Sequence, residues 1–213
     1  MTDNNLGICI SCFKDLNFIS SPYCDICGIP FEFVMQGRLV CGKCIVKPPY
    51  YDIARSIFKF DAKCKKLIHG FKYNDKTASA KIFANIIIAN YKNDIGCIDF
   101  IVPVPMNRIK RIFRQYNPPQ ILAEGLSKLL NVEMIPDLLI KTKWTKPQTM
   151  LTRVQREQNL AGTIMYNSKK NIQGKNILLV DDVKTTGTTS NHCAYILKKH
   201  GAKKVILITI GAT

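Results

Sequence analysis

The chain of 213 residues is long enough for one ordinary domain plus a small appendage, and its 46% apolar and 22% charged residues are typical of a soluble globular protein. No apolar run approaches the roughly 20 residues that a bilayer span needs, and the first residues lack the basic start and apolar core of a signal peptide, so we expect a cytoplasmic protein with no membrane span. Lys and Arg number 31 against 15 Asp and Glu, and the net charge of +16 favours anionic partners such as nucleic acid, polyphosphates or acidic membrane surfaces, unless it is only a basic bias that keeps the protein soluble.

Cysteines crowd the start of the chain, where three Cys-x-x-Cys pairs fall within the first 44 residues. In a reducing cytoplasm, paired cysteines favour metal binding over disulfides, and four thiolates close a tetrahedral structural zinc site. Cys27-Gly28 also resembles a zinc knuckle, in which the glycine relieves a tight turn. Ligand sets that include Cys9 and Cys12 stay open, as does a module without metal. The preferred zinc ligands are Cys24, Cys27, Cys41 and Cys44.

The Cys-rich segment ends at Pro48-Pro49, which divides the chain into a zinc module at residues 1–49 and an α/β domain at residues 50–213. A module this short has little apolar core, so we expect it to be unfolded without zinc. The isolated cysteines beyond it are expected to be small core residues. They are Cys64, Cys97 and Cys193.

Beyond the prolines, strand and helix patterns alternate. This alternation favours a mainly parallel sheet flanked by helices, with ligands bound beyond the carboxyl ends of the strands. One helix is clearly amphipathic, and its apolar face comprises Ile82, Phe83, Ile86 and Ile87. The predicted strands are residues 54–60, 100–104, 177–180 and 204–210, and the predicted helices are residues 64–71, 76–91, 119–130 and 189–200.

Two basic segments lie between the second and third predicted strands. The first follows the Val-Pro-Val-Pro sequence of residues 102–105 and can neutralise a diphosphate together with Mg²⁺, unless it is a solvated helix face. The second, residues 141–156, is suited to close over a bound anion as a lid, or else is a surface loop. The cations of the first segment are Arg108, Lys110, Arg111 and Arg114.

The third predicted strand is followed by two acids and then by a run rich in threonine. Carboxylates at a strand tip accept hydrogen bonds from two vicinal hydroxyls, Gly187 lets the backbone approach an anion, and amides at the start of the next helix hold a phosphate. The sequence therefore predicts a cradle for a ribose phosphate, rather than only a capped helix after a strand. The cradle comprises Val180, Asp181, Asp182, Lys184, Thr185, Thr186, Gly187, Thr188 and Thr189.

This cradle resembles the phosphoribosyl pyrophosphate (PRPP) binding motif of type I phosphoribosyltransferases. The resemblance implies that Asp181 and Asp182, the candidate catalytic residues, hold the ribose 2′ and 3′ hydroxyls, while residues 185–189 hold the 5′-phosphate. It also implies Mg²⁺ bound with the PRPP and a pyrophosphate-binding turn after the second strand. That turn comprises Pro103, Val104 and Pro105, with Arg108 and Arg114 following it.

Over nearly its full length the chain resembles the ComF family of competence proteins, because several short motifs occur in the family's order. Members look like zinc-finger proteins joined to a type I phosphoribosyltransferase domain, and the PRPP cradle completes the series. The other matching segments are residues 24–30, 41–44, 48–49, 67–73, 102–105, 114–117, 146–148 and 153–159.

The resemblance implies a protein that handles incoming single-stranded DNA at the cytoplasmic side during natural transformation, with other DNA-uptake proteins as further partners. Two alternatives remain: an active phosphoribosyltransferase of unknown acceptor, and a regulator that senses PRPP without catalysis. DNA binding of this kind depends strongly on salt and little on sequence. The candidate stacking aromatics, if they are not core or linker residues, are Phe31, Phe33, Tyr50, Tyr51 and Tyr116.

Overall fold

The computed structural model describes residues 16–33, 37–73, 76–106, 117–142, 163–167 and 170–213. Within these residues, no helix is both long and apolar enough to cross a membrane. The helices are α1 (Gly42–Val46), α2 (Ala62–Tyr73), α3 (Lys76–Ile95), α4 (Pro118–Leu130) and α5 (Thr188–Lys199). The strands are β1 (Ile53–Lys59), β2 (Phe100–Pro103), β3 (Leu139–Lys141), β4 (Ile164–Tyr166), β5 (Asn176–Lys184) and β6 (Lys204–Ala212).

Four strands form a parallel sheet in the order β1-β6-β5-β2, which confirms the predicted fold class. Ile206 of β6 lies between Ile53 of β1 and Leu178 of β5, and Phe100 of β2 lies opposite Ile177. Because all four strands are parallel, their carboxyl ends meet at one edge of the sheet. Any site built from the segments after β2 and β5 therefore lies at that edge.

A second, antiparallel pair of strands, β3 with β4, was not predicted. Each strand is three residues long, too short to show a period of two in the sequence. The amide of Thr142 donates to the carbonyl of Thr163 at 2.8 Å, which brings together the two ends of the intervening segment. The predicted lid at residues 141–156 falls almost wholly in that segment and, from residue 143 on, outside the described residues.

Alternate side chains of the central strands enter two apolar layers on opposite faces of the sheet. On β5, Leu178 and Val180 pack with α2, α3 and α4, while Ile177 and Leu179 pack with α5. Burial on both faces explains why the strands read as continuous apolar runs. The predicted apolar face of α3 is confirmed by the burial of Ile82, Phe83, Ile86 and Ile87.

The isolated cysteines divide between the core and the surface. Cys64 and Cys193 are 1% and 0% exposed, as predicted for small core residues. Cys97 is exposed, so the prediction was wrong for this residue. The reason is its place in the turn between α3 and β2, directly after Gly96, whose φ of +60° turns the chain at the surface.

Residues 17–30 run beside β1 and cover that edge of the sheet. The amide of Ile19 donates to the carbonyl of Ile57 at 2.8 Å, and the amide of Lys59 donates to the carbonyl of Asn17 at 2.8 Å. The Cys-rich segment and the sheet thus share main-chain hydrogen bonds. A division of the chain at residue 49 stays a prediction.

A buried arginine fastens this segment to the sheet. Arg55 on β1 is 4% exposed, and its Nε and Nη2 donate to the two carboxylate oxygens of Asp94 on α3 at 2.9 and 3.0 Å. Its Nη1 donates to the carbonyl of Asp25 at 3.1 Å, and its guanidinium lies 4.6 Å from the ring centre of Tyr23. A buried cation is stable only when it is paired, so Asp94 secures a link among β1, α3 and the N-terminal segment.

The substitution Asp94→Ala leaves Arg55 buried without its carboxylate, and we expect the free energy of unfolding to fall by about 3–5 kcal/mol. Urea unfolding followed by circular dichroism measures the change. The control is Glu133→Ala, which removes an exposed pair with Lys170 and should cost less than about 1 kcal/mol. Equal losses in the two variants would show that burial does not set the strength of the Arg55 pair.

Candidate functional site

Strand β5 extends further than the sequence predicted. The strand was expected to end at Val180, but it continues to Lys184, and Asp181 lies opposite Thr209 of β6. The predicted end was wrong because β6 runs on to Ala212 and pairs with the acidic segment, which overrides the low strand propensity of aspartate. The two acids therefore lie within the last residues of the sheet rather than in the loop beyond it.

Asp181 is turned beneath α5, and only 8% of it is exposed. The hydroxyl of Ser190 on α5 donates to its Oδ2 at 2.7 Å, and the amide of Asp182 donates to its Oδ1 at 2.9 Å. Burial, followed by the charge of Asp182, raises the pKa of Asp181 to about 8. The acid thus holds the first turn of α5 against the strand. Its role toward a ribose hydroxyl stays a prediction.

Asp182 is half-buried, and its Oδ1 accepts the amide of Val183 at 2.8 Å. Two consecutive amides of β5 are therefore bonded to carboxylates. Val183 packs against the layer of α2, α3 and α4, whereas Asp181 lies beneath α5. The alternation of faces changes between these two residues, although the pairing register of β5 with β6 stays the same from Asp181 to Lys184.

A turn rich in threonine joins β5 to α5. Gly187, with a φ of +69°, is the residue before the helix, and glycine adopts this left-handed conformation without strain. The hydroxyls of Thr186 and Thr188 lie 2.8 Å apart. Within the described part of the chain, no hydrogen bond occupies the amides of Thr189 and Ser190. The start of this 12-residue helix therefore offers free donors and the positive end of its dipole to an anion.

The turn after β2 lies next to the acids. Pro103 is opposite Val180, and the amide of Val104 donates to the Val180 carbonyl at 2.8 Å. Residues 103–105 and Asp181 thus share one edge of the sheet, as the parallel topology requires. The predicted cations lie outside the described residues, and their part in the site stays a prediction; they are Arg108, Lys110, Arg111 and Arg114.

The raised pKa of Asp181 predicts that this residue lowers stability as the pH rises. Because its pKa is near 8 when folded and 3.8 in the unfolded chain, the stability it contributes is complete below about pH 4 and is lost as the pH rises through about 8. Asp181→Asn keeps the shape of the protonated acid and cannot ionise. We expect its melting temperature to exceed that of the wild type by a margin that grows from about pH 5 to about pH 8. Each kcal/mol of difference in the free energy of unfolding should correspond to about 2–4 °C. Thermal denaturation across this range measures the difference, and a difference that does not vary with pH would contradict the assignment.

The four preferred cysteines meet at one point, and their Sγ atoms all lie within 4.8 Å of one another. A tetrahedral zinc with Zn–S bonds of about 2.3 Å holds its sulfurs roughly 3.8 Å apart, and the Sγ atoms of Cys27 and Cys41 are 3.6 Å apart. Burial raises the pKa of Cys24, but the amides of Cys27 and Cys41 donate to its Sγ and lower that pKa to about 7. The cluster forms a structural zinc site of the zinc-ribbon type, while Cys9 and Cys12 lie outside the described residues.

Gly28 fits the zinc knuckle closely against β1. Its φ is +71°. The main chain of Ala54 on β1 lies next to it, and the amide of Ala54 donates to the carbonyl of Ile26 at 2.6 Å. A Cβ atom on Gly28 would lie 2.5 Å from the carbonyl oxygen of Ala54. Only glycine allows the knuckle and the strand to approach this closely.

Lys184 was predicted as a PRPP ligand, but its amine lies at the zinc knuckle and not at the threonine turn. The side chain is 8% exposed, and its Nζ donates to the carbonyl of Cys27 in the zinc knuckle. Burial lowers the pKa of Lys184, and the nearby cysteine thiolates oppose this shift. The sequence gives no signal for this contact, because the two residues lie 157 positions apart. A contribution of Lys184 to phosphate binding through its main chain stays a prediction.

Exposed aromatic rings line one face of α5. The ring of Tyr50, a residue that is 52% exposed, lies 4.8 Å from that of Tyr195, and the ring of His192 lies 6.1 Å from Tyr195. The amide of Tyr50 donates to Oδ1 of Asn191 at 2.7 Å, which fixes the segment after the zinc module to the helix. This surface, formed by Tyr50, His192 and Tyr195, is called the aromatic face below.

The aromatic candidates from the sequence differ in their exposure. Tyr50 and Phe33 are exposed, whereas Tyr51 is only 7% exposed, so it is a core residue and not a stacking surface. The sequence analysis missed His192 and Tyr195, although their spacing of three residues on one helix was a usable signal. Tyr116 lies outside the described residues.

Two known domain families match separate parts of the chain. Residues 1–45 match the double zinc ribbon domain, and residues 121–212 match the phosphoribosyl transferase domain. Among solved structures, a purine phosphoribosyltransferase from Pyrococcus horikoshii superposes with a TM-score of 0.40 at 16% identity, covering 62% of this chain and 80% of that one. Adenine phosphoribosyltransferase from Saccharomyces cerevisiae gives 0.41 at 15% identity, covering 62% and 69%. Superpositions this loose say nothing about function.

Relatives align along almost the whole chain. Competence protein F of Haemophilus influenzae is 28% identical over 205 residues, which cover 93% of this chain and 87% of that protein. DNA utilization protein YhgH of Escherichia coli is 26% identical over 204 residues, with the same coverage of 93% and 87%. Competence protein ComFC of Bacillus subtilis is 25% identical over 202 residues, covering 91% and 79%. Because these relatives align across both the Cys-rich segment and the α/β domain, the chain is similar along almost its whole length to proteins named for competence and DNA utilization.

Proposed function

We propose that this protein handles single-stranded DNA in the cytoplasm during DNA uptake, and that its α/β domain binds PRPP with Mg²⁺. The DNA role is supported by relatives that cover 93% of the chain and are named for competence and DNA utilization. A zinc site of four thiolates supports a reducing compartment, since such thiols oxidise to disulfides elsewhere.

The start of α5 carries the PRPP proposal. The free amides of Thr189 and Ser190 offer a phosphate site, and Ser190 is itself bonded to Asp181 at 2.7 Å. The proposed phosphate site at the helix start and the proposed ribose site at the acids are therefore close enough for one ribose phosphate to occupy both. Asp181 and Asp182 are proposed to accept the ribose hydroxyls, and residues 185–189 to hold the 5′-phosphate.

The diphosphate is proposed to lie at the turn after β2. Mg²⁺ prefers oxygen ligands and commonly binds together with substrate phosphates, so it enters with the PRPP. The turn of residues 103–105 lies at the same sheet edge as the acids. Arg108 and Arg114 follow it in the chain and are proposed to add positive charge.

Calorimetric titration with PRPP and Mg²⁺ tests this site. The wild type should bind, and the double variant Asp181→Asn/Asp182→Asn should bind at least about tenfold more weakly, since both acids that are proposed to hold the ribose hydroxyls are replaced by amides. Asp137→Asn makes the same change at an exposed acid before β3 and should bind like the wild type. Absence of binding by the wild type would remove the PRPP half of the proposal.

The aromatic face is the proposed stacking surface for single-stranded DNA. Tyr50 and Tyr195 offer exposed rings, and the net charge of +16 favours a polyanion. Stacking on aromatic rings is tolerant of sequence because every base has a π face. The face also lies on α5, whose first turn is the proposed phosphate site.

Fluorescence anisotropy with a labelled oligothymidine, at several salt concentrations, tests the DNA role. We expect affinity to fall steeply with salt, and Tyr50→Ala/Tyr195→Ala to weaken binding by about tenfold or more at fixed salt. Met165→Ala, which removes an exposed apolar side chain from β4, is the control. No retention of DNA by the wild type at low salt would refute the role.

A further inference from the structure

Lys184 connects two sites that lie far apart in the sequence. It is the last residue of β5 and directly precedes the threonine turn. Its amine donates to the carbonyl of Cys27, which is itself one of the four zinc ligands. The lysine is buried, and among the described residues its amine has one hydrogen-bond acceptor, so its position depends on the zinc knuckle.

The aliphatic part of the Lys184 side chain lies beside the threonine turn. A Cβ atom added to Gly187 would lie 3.5 Å from Cγ and 3.7 Å from Cδ of Lys184, so the aliphatic stem borders the space beside the glycine. Gly187 precedes the helix start that offers its amides to the phosphate. A displacement of the Lys184 side chain would therefore change the immediate surroundings of the phosphate site.

The charge of a zinc-loaded cluster favours the observed position of the Lys184 amine. Four thiolates around a divalent zinc carry a net charge of −2, and Lys184 places a buried positive charge beside them. Burying a lone ammonium is costly, and burying it next to an anionic cluster costs less.

A second connection joins the same two regions. Tyr50 follows Cys44 by six positions, and its amide donates to Asn191 in the first turn of α5 at 2.7 Å. The strand end at Lys184 is thus attached to the zinc module, and the first helical turn at Asn191 is attached to the residue that directly follows this module.

We propose that zinc binding and ribose phosphate binding are energetically coupled in this protein, with Lys184 as the positioning residue that connects them. The zinc site holds the threonine turn in the conformation that binds phosphate. By the reciprocity of linked equilibria, a ribose phosphate bound at the turn also retains the zinc. This inference rests on the proposed binding of PRPP.

The test measures zinc release from the intact, zinc-loaded protein. Transfer of zinc to a coloured chelator is followed with and without saturating PRPP and Mg²⁺, and PRPP affinity is measured on the same preparation. We expect PRPP to slow release by about fivefold or more, within the usual range of coupling between sites. In Lys184→Met, which keeps the stem and removes the amine, release should be faster without PRPP and no longer respond to it.

The control is Lys203→Met, which removes an exposed lysine at the amino end of β6 and should behave like the wild type. If PRPP binds the wild type and zinc release is unchanged, the coupling is refuted while PRPP binding stands. If PRPP does not bind the wild type at all, both proposals fall. The wild-type comparison decides the coupling even if Lys184→Met does not fold.

Discussion

Replacing Cys44 by Ser is expected to unfold the Cys-rich segment and to lower the melting temperature of the whole protein. A structural zinc contributes about 10–16 kcal/mol in isolated zinc-finger peptides, so loss of one of four thiolates removes more stability than most single substitutions. The effect should spread beyond the module, because residues 17–30 form main-chain hydrogen bonds with β1 and Arg55 bonds to the carbonyl of Asp25. Thermal denaturation and the zinc content of the purified protein measure the outcome.

The control for this variant is Cys97→Ser, which changes an exposed cysteine outside the cluster. It should retain the zinc content and the melting temperature of the wild type. A Cys44→Ser protein that keeps a full equivalent of zinc would mean that Cys24, Cys27, Cys41 and Cys44 are not the complete ligand set. The pairs that include Cys9 or Cys12 would then return as candidates.

The second large effect is expected at Gly28. In Gly28→Ala, the new Cβ lies 2.5 Å from the carbonyl oxygen of Ala54, a main-chain atom that can give way only if the knuckle moves away from β1. The left-handed φ of +71° adds a cost of about 1–2 kcal/mol, and overpacking adds about 1–3 kcal/mol. We expect a total loss of about 2–5 kcal/mol in urea unfolding.

Gly174→Ala separates these two causes. Gly174 has the same φ of +71°, but a Cβ there meets nothing within 4 Å. The control should therefore lose only the conformational cost of about 1–2 kcal/mol. Equal losses at the two glycines would show that the contact between the knuckle and the strand is not tight.

The sequence predicted the sheet well because its strands are buried on both faces. The apolar runs at 177–180 and 205–208 are uninterrupted, and one helix was predicted between them. The strand β5 nevertheless extends four residues past its apolar run, through Asp181 and Asp182 to Lys184. Only the partner strand β6 explains this extension, and pairing between distant strands is not visible in a local pattern.

The sequence was enough to predict the residues of the candidate site, but not the contacts that these residues make with the zinc module and with α5. Two acids followed by a threonine turn are adjacent in the chain, so their proximity follows from the sequence. The contact of Lys184 with Cys27 and the burial of Asp181 under Ser190 depend on how the zinc module and α5 pack on the sheet. The exposure of Cys97 was missed for the same reason, since a lone cysteine carries no signal of its surroundings.

The cover that residues 17–30 provide for β1 has a consequence for the fate of the protein in a metal-poor or oxidising environment. Without that cover, β1 would present an open row of amides and carbonyls, flanked by the side chains of Ile57 and Phe58, which are now buried. Open, apolar strand edges pair with other chains and nucleate aggregates. Loss of zinc should therefore remove the protein from solution as insoluble material, rather than leave an inactive monomer.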